Sequence, residues 1–309
     1  MEYRQLGKTG LSVSILGFGA SPLGGSFGPI DEEEGVRSVH AALDLGINLI
    51  DVSPYYGQTR AETVLGRALK SIDRDRYILA TKAGRYGRSD FDFSSKRIIQ
   101  SVEESLQRLN VESIDIFQCH DIEFVSLSQV IDEAIPAMHL LKSQGKVRFV
   151  GVTGLPLKIY REVLSATDLD VILSYCHYTL FDTSLLDLLP LVSEKGLGVM
   201  NAAPFSMGLL TTRPAPEWHP APKEVQEECA KQAALWTGRG FDLAELALRF
   251  SVGDQRIAST FAGMSTVEEV ERNVNWSEKP WHSELMAEAY ESFNSIRNRT
   301  WQSGLPENN

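Results

Sequence analysis

Three β-rich runs of the chain carry residues that can hold or move a proton. "NLIDVS" carries Asp51, "YILATKA" carries Lys82 and "SIDIFQCH" ends on His120. An acid, an ammonium and an imidazole become a working set once a phenol joins them. A phenol has an ordinary pKa of about 10, too high to release its proton readily at neutral pH. An ammonium beside it lowers that value, and a carboxylate keeps the ammonium charged and in place. Asp51, Lys82 and a tyrosine would thus make an acid/base relay, with His120 orienting a substrate oxygen. Two tyrosines, Tyr55 and Tyr56, stand close by in "DVSPYYGQ". A strand end followed by Ser-Pro and Gly belongs at a surface, so packing does not explain both. Taken singly, a strand-end Asp caps a helix, a Lys is solvated and a His packs in a core. Their recurrence at equivalent points of three consecutive strands favours function.

Those points need a scaffold. The strand-like runs are "ILGFGA", "NLIDVS", "YILATKA", "SIDIFQCH", "VRFVGVTG", "DVILSYCH", "LGVMNAA" and "IASTFAGM". Between them lie amphipathic stretches such as "SSKRIIQSVEESLQRLN", where Ile98, Ile99, Val102, Leu106 and Leu109 recur at helical spacing. Further helices are expected over 31–45, 61–70, 127–144, 156–166, 185–195, 242–252 and 266–275. The last is opened by a capping box of Ser265 and Glu268. A hairpin, "YRQLGKTGLSV", comes first and turns at Lys8-Thr9-Gly10. Eight strands alternating with eight helices and no linker imply one (β/α)8 TIM barrel over residues 1–309. Such a barrel gathers its chemistry at the C-terminal ends of its strands. Two segments are additional: a loop and helix at 204–240, after the seventh strand, and a C-terminal helix near 282–297.

Composition narrows the function classes. Apolar residues make up 43% of 309, enough for a large core, and the net charge of −11 is spread along the chain. That balance disfavours nucleic acid and anionic membranes, which both call for a basic patch. Cys119, Cys176 and Cys229 are odd in number and form no CxxC pair, so no disulfide framework or metal site is expected. No apolar run approaches a membrane span, and "MEYRQLGKTG" has no apolar signal region. A cytoplasmic enzyme acting on a small molecule, as a monomer or small homo-oligomer, is the expectation.

At this point the chain resembles the aldo-keto reductases over nearly its whole length. The likeness rests on "LGKTGLSVSILGFGA", the DxxxxYG segment, "ATK", the His ending strand four, "GVTG", "APFSMGLLT" and "GMSTVEEVERN". The family motif sets its tyrosine five residues after its aspartate and directly before glycine. The resemblance therefore implies the tetrad Asp51, Tyr56, Lys82 and His120, and a nicotinamide cofactor bound without a Rossmann fold. In "GFGASPLGG", a GxGxxG begun at Gly17 would need glycine where Pro22 stands. By resemblance the nicotinamide meets Ser21, Thr153, Gly154, Tyr175 and Asn201. Phe205, Met207, Gly263, Ser265, Glu269 and Asn273 complete the cofactor set. Two departures bear on the ring. Many members have Ser-Asn where Thr153-Gly154 stands, and an aromatic where Ala202 stands, so other groups would hold it, or hold it less tightly.

After strand eight, NADP-dependent members place Lys and Arg on the adenosine 2′-phosphate. The corresponding positions here are Gly263 and Glu269, with Glu268 adjacent. A carboxylate repels that phosphate and accepts from a free ribose hydroxyl, so NAD is expected over NADP. Arg272 argues the other way. The bland reading makes Glu268 a helix cap and Glu269 a solvated acid.

A narrower likeness lies in "GFGASPLGGSFGP", "HDIEF", "GLPL", "ILSYCHY", "LLDLLPL", "PEWHPA" and "TWQSG". These segments resemble aldose 1-dehydrogenases of the plant L-galactose dehydrogenase type. The likeness implies oxidation of a free aldose, L-galactose or a relative such as L-fucose, at C1 to the aldonolactone. Its sugar contacts would be Phe27, Tyr55, Asp121, His177, Trp218 and Trp301. Each aromatic has the alternative of packing the rim, and Asp121 that of capping a helix. Two other functions stay open: an NADP-dependent carbonyl reductase, and a regulatory binding protein on the same scaffold. A complete tetrad speaks against the latter.

Overall fold

The structure, a computed structural model, describes residues 1–25 and 28–309. It begins with the expected hairpin, in which β1 (Tyr3–Gln5) pairs antiparallel with β2 (Ser12–Ser14). The hairpin covers the N-terminal end of a barrel: Lys8 N–H donates to Gly196 O at 3.0 Å, just before a barrel strand begins. Leu6, Leu11 and Val13 are buried there against Leu49, Ala80, Ile116 and Met200.

Eight parallel strands form the barrel wall: β3 (Leu16–Gly19), β4 (Leu49–Asp51), β5 (Ile78–Ala83), β6 (Ile114–Cys119), β7 (Val147–Gly154), β8 (Val171–Tyr175), β9 (Gly198–Ala202) and β10 (Ser259–Gly263). Each pairs with its neighbour in sequence, and β10 closes on β3. Buried on both faces, these strands read as near-continuous apolar runs rather than alternating ones. Register decides what the interior contains. Asp51 pairs with Ala80, and Lys82 with Gln118. Because side chains alternate along a strand, Lys82 faces the same side as Ala80, one layer higher. An apolar lower interior is thus roofed by Asp51, Lys82 and Gln118.

The outer helices are α1 (Glu32–Asp44), α2 (Arg60–Leu69), α3 (Ser95–Leu109), α4 (Leu127–Gln129), α5 (Ile135–Ser143), α6 (Leu157–Ala166) and α7 (Leu189–Lys195). Two of them start on short polar caps, at Asp31 and Ser94. Each cap satisfies a backbone N–H that the helix leaves unpaired, contributing about 1 kcal/mol. The stretch expected as one helix over 127–144 is α4 and α5 joined by a π-helical segment, Val130–Ala134. The 185–195 helix begins instead as a 3₁₀ turn, Ser184–Leu188.

The two additions pack on one another. α8 (Lys223–Gly238) belongs to the insertion, α9 (Leu243–Gly253) leads into β10, and α11 (Ser283–Glu291) comes after α10 (Val267–Glu278). Cys229, Trp236, Leu246, Met286 and Phe293 share their buried core. The expected capping box is displaced by one residue. Thr266, not Ser265, caps α10 by accepting from Glu269 N–H at 3.1 Å, while the Glu269 carboxylate accepts from Ser265 N–H at 2.8 Å. Glu269 is therefore the capping acid and Glu268 the exposed one, the reverse of the bland reading. No helix among the described residues is long and apolar enough to cross a membrane.

Candidate active site

The roof of the barrel brings four side chains together. Lys82 Nζ donates to Asp51 Oδ2 at 2.5 Å, to the Val52 carbonyl at 3.0 Å and to Tyr56 Oη at 3.2 Å. All three donor directions of the ammonium are thereby used. Burial alone would discharge Lys82, but Asp51 and Tyr56 raise its pKa above the ordinary lysine value. Burial also raises the Asp51 carboxyl, against the pull of Lys82. Tyr56 departs from the expectation of a lowered phenol. Burial pushes it up to about 12, outweighing Lys82, with Asp51 adding to the rise. Gly57 holds this loop in place: φ is +61°, and a Cβ would lie 2.1 Å from the Gly24 carbonyl oxygen.

His120 completes the group. Its ring stands edge-on to Tyr56 and Tyr55, with centroids 5.5 and 5.7 Å away. Nδ1 lies 2.8 Å from Ser53 Oγ, which already accepts from Tyr55 N–H at 3.1 Å. The serine proton is then free to bond Nδ1, which leaves Nε2 as the N–H donor. Burial lowers the imidazole pKa to about 3, so His120 is neutral at physiological pH.

Next to His120, Asp121 sits in a left-handed turn with φ of +52°. Its N–H donates to Thr153 Oγ1 at 3.0 Å, and Thr153 Oγ1 approaches Asp121 Oδ1 at 3.3 Å. Arg85 pairs with Asp121 Oδ2, donates to Tyr55 Oη at 3.1 Å and stacks 3.9 Å over the Tyr55 ring. Burial opposes ionisation of Asp121, but the charge and hydrogen bond of Arg85, with the Lys82 ammonium farther off, hold the carboxyl below its usual range. The arrangement offers a buried phenol–ammonium–carboxylate chain, a neutral imidazole donor and a fixed anion at one rim.

The expected cofactor residues line the same end of the barrel. Ser21 and Gly263 are neighbours across the β3–β10 seam, a Cβ on Gly263 falling 3.9 Å from Ser21 Oγ. Asn201 and Asn273 are buried, each with Oδ1 unpartnered among the described residues. The loop after β9 holds Ala203, Ser206 and Met207 at positive φ, with Phe205 half-buried among them. Non-glycine residues in that region cost energy and cluster at functional sites. Tyr175 Oη donates to Glu123 Oε1 at 3.4 Å.

The residues expected to contact a sugar divide. Tyr55 and Asp121 join the tetrad's surroundings. His177 is buried, with Nδ1 on Asp182 at 3.0 Å and Ser184 at 2.9 Å, and Nε2 unpartnered among the described residues. Trp218 and Trp301 flank His219 in a separate cluster built by the insertion and the tail. Phe27 lies outside the described residues.

The Aldo/keto reductase family profile matches residues 15–293. The chain belongs to this family. L-galactose dehydrogenase of Arabidopsis thaliana is 47% identical, covering 100% of this chain and 99% of that one. D-arabinose 1-dehydrogenase of Saccharomyces cerevisiae is 34% identical over 79% of this chain and 76% of its own. The holo form of aldo-keto reductase AKR11C1 from Bacillus halodurans superposes with a TM-score of 0.81 at 30% identity, covering 98% of both chains.

As an aldo/keto reductase this protein is an oxidoreductase acting on CH–OH groups, and the family uses nicotinamide cofactors. The residues present fit such a group. Asn201, Asn273 and Ser206 each bury an oxygen without a partner among the described residues, which suits a ligand that carries hydrogen-bond donors. Three residues of this aldo/keto reductase escaped the sequence reading: Ser53 behind His120, Arg85 beside Asp121, and Glu123 beneath Tyr175. Arg85 and Glu123 each lie three residues beyond a recognised one, in loops whose direction no periodicity specifies.

Proposed function

We propose that this enzyme oxidises the anomeric carbon of a free aldose to the aldonolactone with NAD, and that L-galactose or a related sugar such as L-fucose is the substrate. The observation that carries this reading is the Asp51–Lys82–Tyr56 chain set against neutral His120 and the fixed Asp121 anion. The full-length likeness to L-galactose dehydrogenase supports the choice of sugar.

Tyr56 Oη takes the proton of the C1 hydroxyl as general base, and Lys82, anchored by Asp51, stabilises the phenolate. His120 Nε2–H donates to the same C1 oxygen and fixes its direction. Asp121, with Thr153 and Arg85 holding it, accepts from a further sugar hydroxyl, and Tyr55 walls the pocket. When bound, the nicotinamide supplies the acceptor for the C1 hydrogen. Ser21, Thr153, Gly154, Tyr175, Asn201, Phe205, Met207, Gly263, Ser265 and Asn273 would hold that cofactor. NAD is favoured over NADP because Glu268 and Glu269 put two carboxylates on the first turn of α10. Arg272 on that helix lies 5.1 Å over the Trp276 ring. The reaction belongs in the cytosol and needs only a small sugar besides the cofactor.

The test is a panel of free aldoses (L-galactose, L-fucose, D-arabinose, L-gulose) followed by absorbance with NAD and with NADP. Reduction of NAD by one or more of them is expected. The reading fails if no aldose reduces either cofactor while NADPH reduces simple aldehydes.

A further inference from the structure

Just past Asp121 the chain turns inward and buries Glu123 completely behind the ends of β7 and β8. Its two carboxyl oxygens are treated differently. Oε1 accepts from Ser303 Oγ at 2.9 Å, Leu155 N–H at 3.2 Å and Tyr175 Oη at 3.4 Å. Oε2 has no partner. A buried polar oxygen left unbonded is costly, so the site is built for a partner still to come.

Oε2 packs closely against Gly154. A Cβ at that position would lie 2.7 Å from Oε2 and 2.2 Å from Ile159 Cδ1. The Glu123 carboxyl therefore stands where a side chain at 154 would project. Burial, and then repulsion from Asp121, raises the Glu123 pKa to about 8. With three donors converging on Oε1, the proton resides on Oε2, which becomes a hydroxyl donor lacking an acceptor.

Gly154 and Tyr175, which stand beside this carboxyl, are among the residues assigned to the nicotinamide in the proposed function, and the inference rests on that reading. A primary carboxamide complements a carboxylic acid on both sides, one carbonyl to accept and two N–H groups to donate. We propose that Glu123 Oε2 bonds the carboxamide of the nicotinamide ring, taking up the task that a polar side chain at 154 would otherwise perform. The C-terminal tail is then a positioning element of the cofactor site. Leu305 N–H and Asn308 Nδ2 each donate to the Glu123 carbonyl at 2.8 Å, and Ser303 fixes Oε1 so that Oε2 stays turned toward Gly154.

The experiment compares equilibrium binding of NAD, NADP and ADP-ribose, which lacks the nicotinamide, to wild type, Glu123→Leu, Glu123→Asp and Glu123→Gln. Folding is checked by circular dichroism. Glu123→Leu and Glu123→Asp should weaken the preferred dinucleotide at least about ten-fold and leave ADP-ribose unchanged. Glu123→Gln, still a donor, should stay near wild type. Equal weakening of dinucleotide and ADP-ribose, or of neither, overturns the proposal while the cofactor reading stands. If Glu123→Leu does not fold, Glu123→Asp decides by the same comparison. A wild type that binds neither dinucleotide overturns the cofactor reading and this proposal together.

Discussion

Lys82 Nζ and Tyr56 Oη stand 3.2 Å apart, with the ammonium 4.9 Å from the centre of the tyrosine ring. The lysine therefore interacts with the hydroxyl and the ring of the same residue. Its other two bonds, to Asp51 and the Val52 carbonyl, leave it no freedom to follow another partner. Tyr56→Phe should lower kcat on the order of 10²–10⁴-fold with nucleotide affinity nearly unchanged. Tyr55→Phe loses one hydrogen bond to Arg85 and should cost far less. Parallel kcat and binding measurements on the two variants check this, and equal losses would remove the division of roles.

The same pair has a structural cost. Lys82→Met would leave the Asp51 carboxylate buried without its counter-charge, a loss of about 3–5 kcal/mol in ion pairs of this kind. Adding Asp51→Asn should restore part of it, because the uncompensated charge is gone. Urea unfolding of both variants measures the difference. A double variant less stable than Lys82→Met would contradict the account.

The pH profile of sugar oxidation should reflect Tyr56 and not His120. With the phenol pushed up to about 12, kcat/KM should climb by roughly one log unit per pH unit from neutral into alkaline conditions. With the imidazole lowered to about 3, no further limb should occur between pH 6 and 7. An inflection there that disappears in His120→Asn would refute the neutral-donor role.

Arg85→Leu removes the partner of Asp121 and the hydrogen bond to Tyr55, but touches none of the tetrad. KM for the sugar should rise about ten-fold or more, with a smaller change in kcat. A collapse of kcat at unchanged KM would place Arg85 in the chemistry instead.

Glu123 makes stability depend on pH. The folded chain holds a proton on this carboxyl up to about 8, whereas an unfolded glutamate releases it near 4.5. Its contribution is complete below 4.5 and is lost as pH rises toward 8 and beyond. Between pH 5 and 9 wild type should lose on the order of a few kcal/mol more stability than Glu123→Gln, which has no proton to release. Thermal melts across that range read the difference directly, and parallel curves would count against it.

Much of this protein could be read without coordinates. The eight strands, the hairpin and the strand-end positions of Asp51, Lys82 and His120 all follow from short apolar runs interrupted by polar residues. Local sequence pattern dictates those features, and closing a barrel of parallel strands then forces neighbouring ends together. Tyr56 was singled out from Tyr55 by its spacing from Asp51, through the family likeness, and not by periodicity. What lay outside the sequence depends on loop direction and burial. Arg85 turns back over Tyr55 to reach Asp121, and the tail residue Ser303 reaches Glu123 across 180 positions. The cap of α10 moved one residue because backbone dihedrals, not residue type, decide which hydroxyl meets the free N–H. The rise of the Tyr56 phenol likewise required the fold, since burial at the barrel roof outweighs the lowering charge of Lys82.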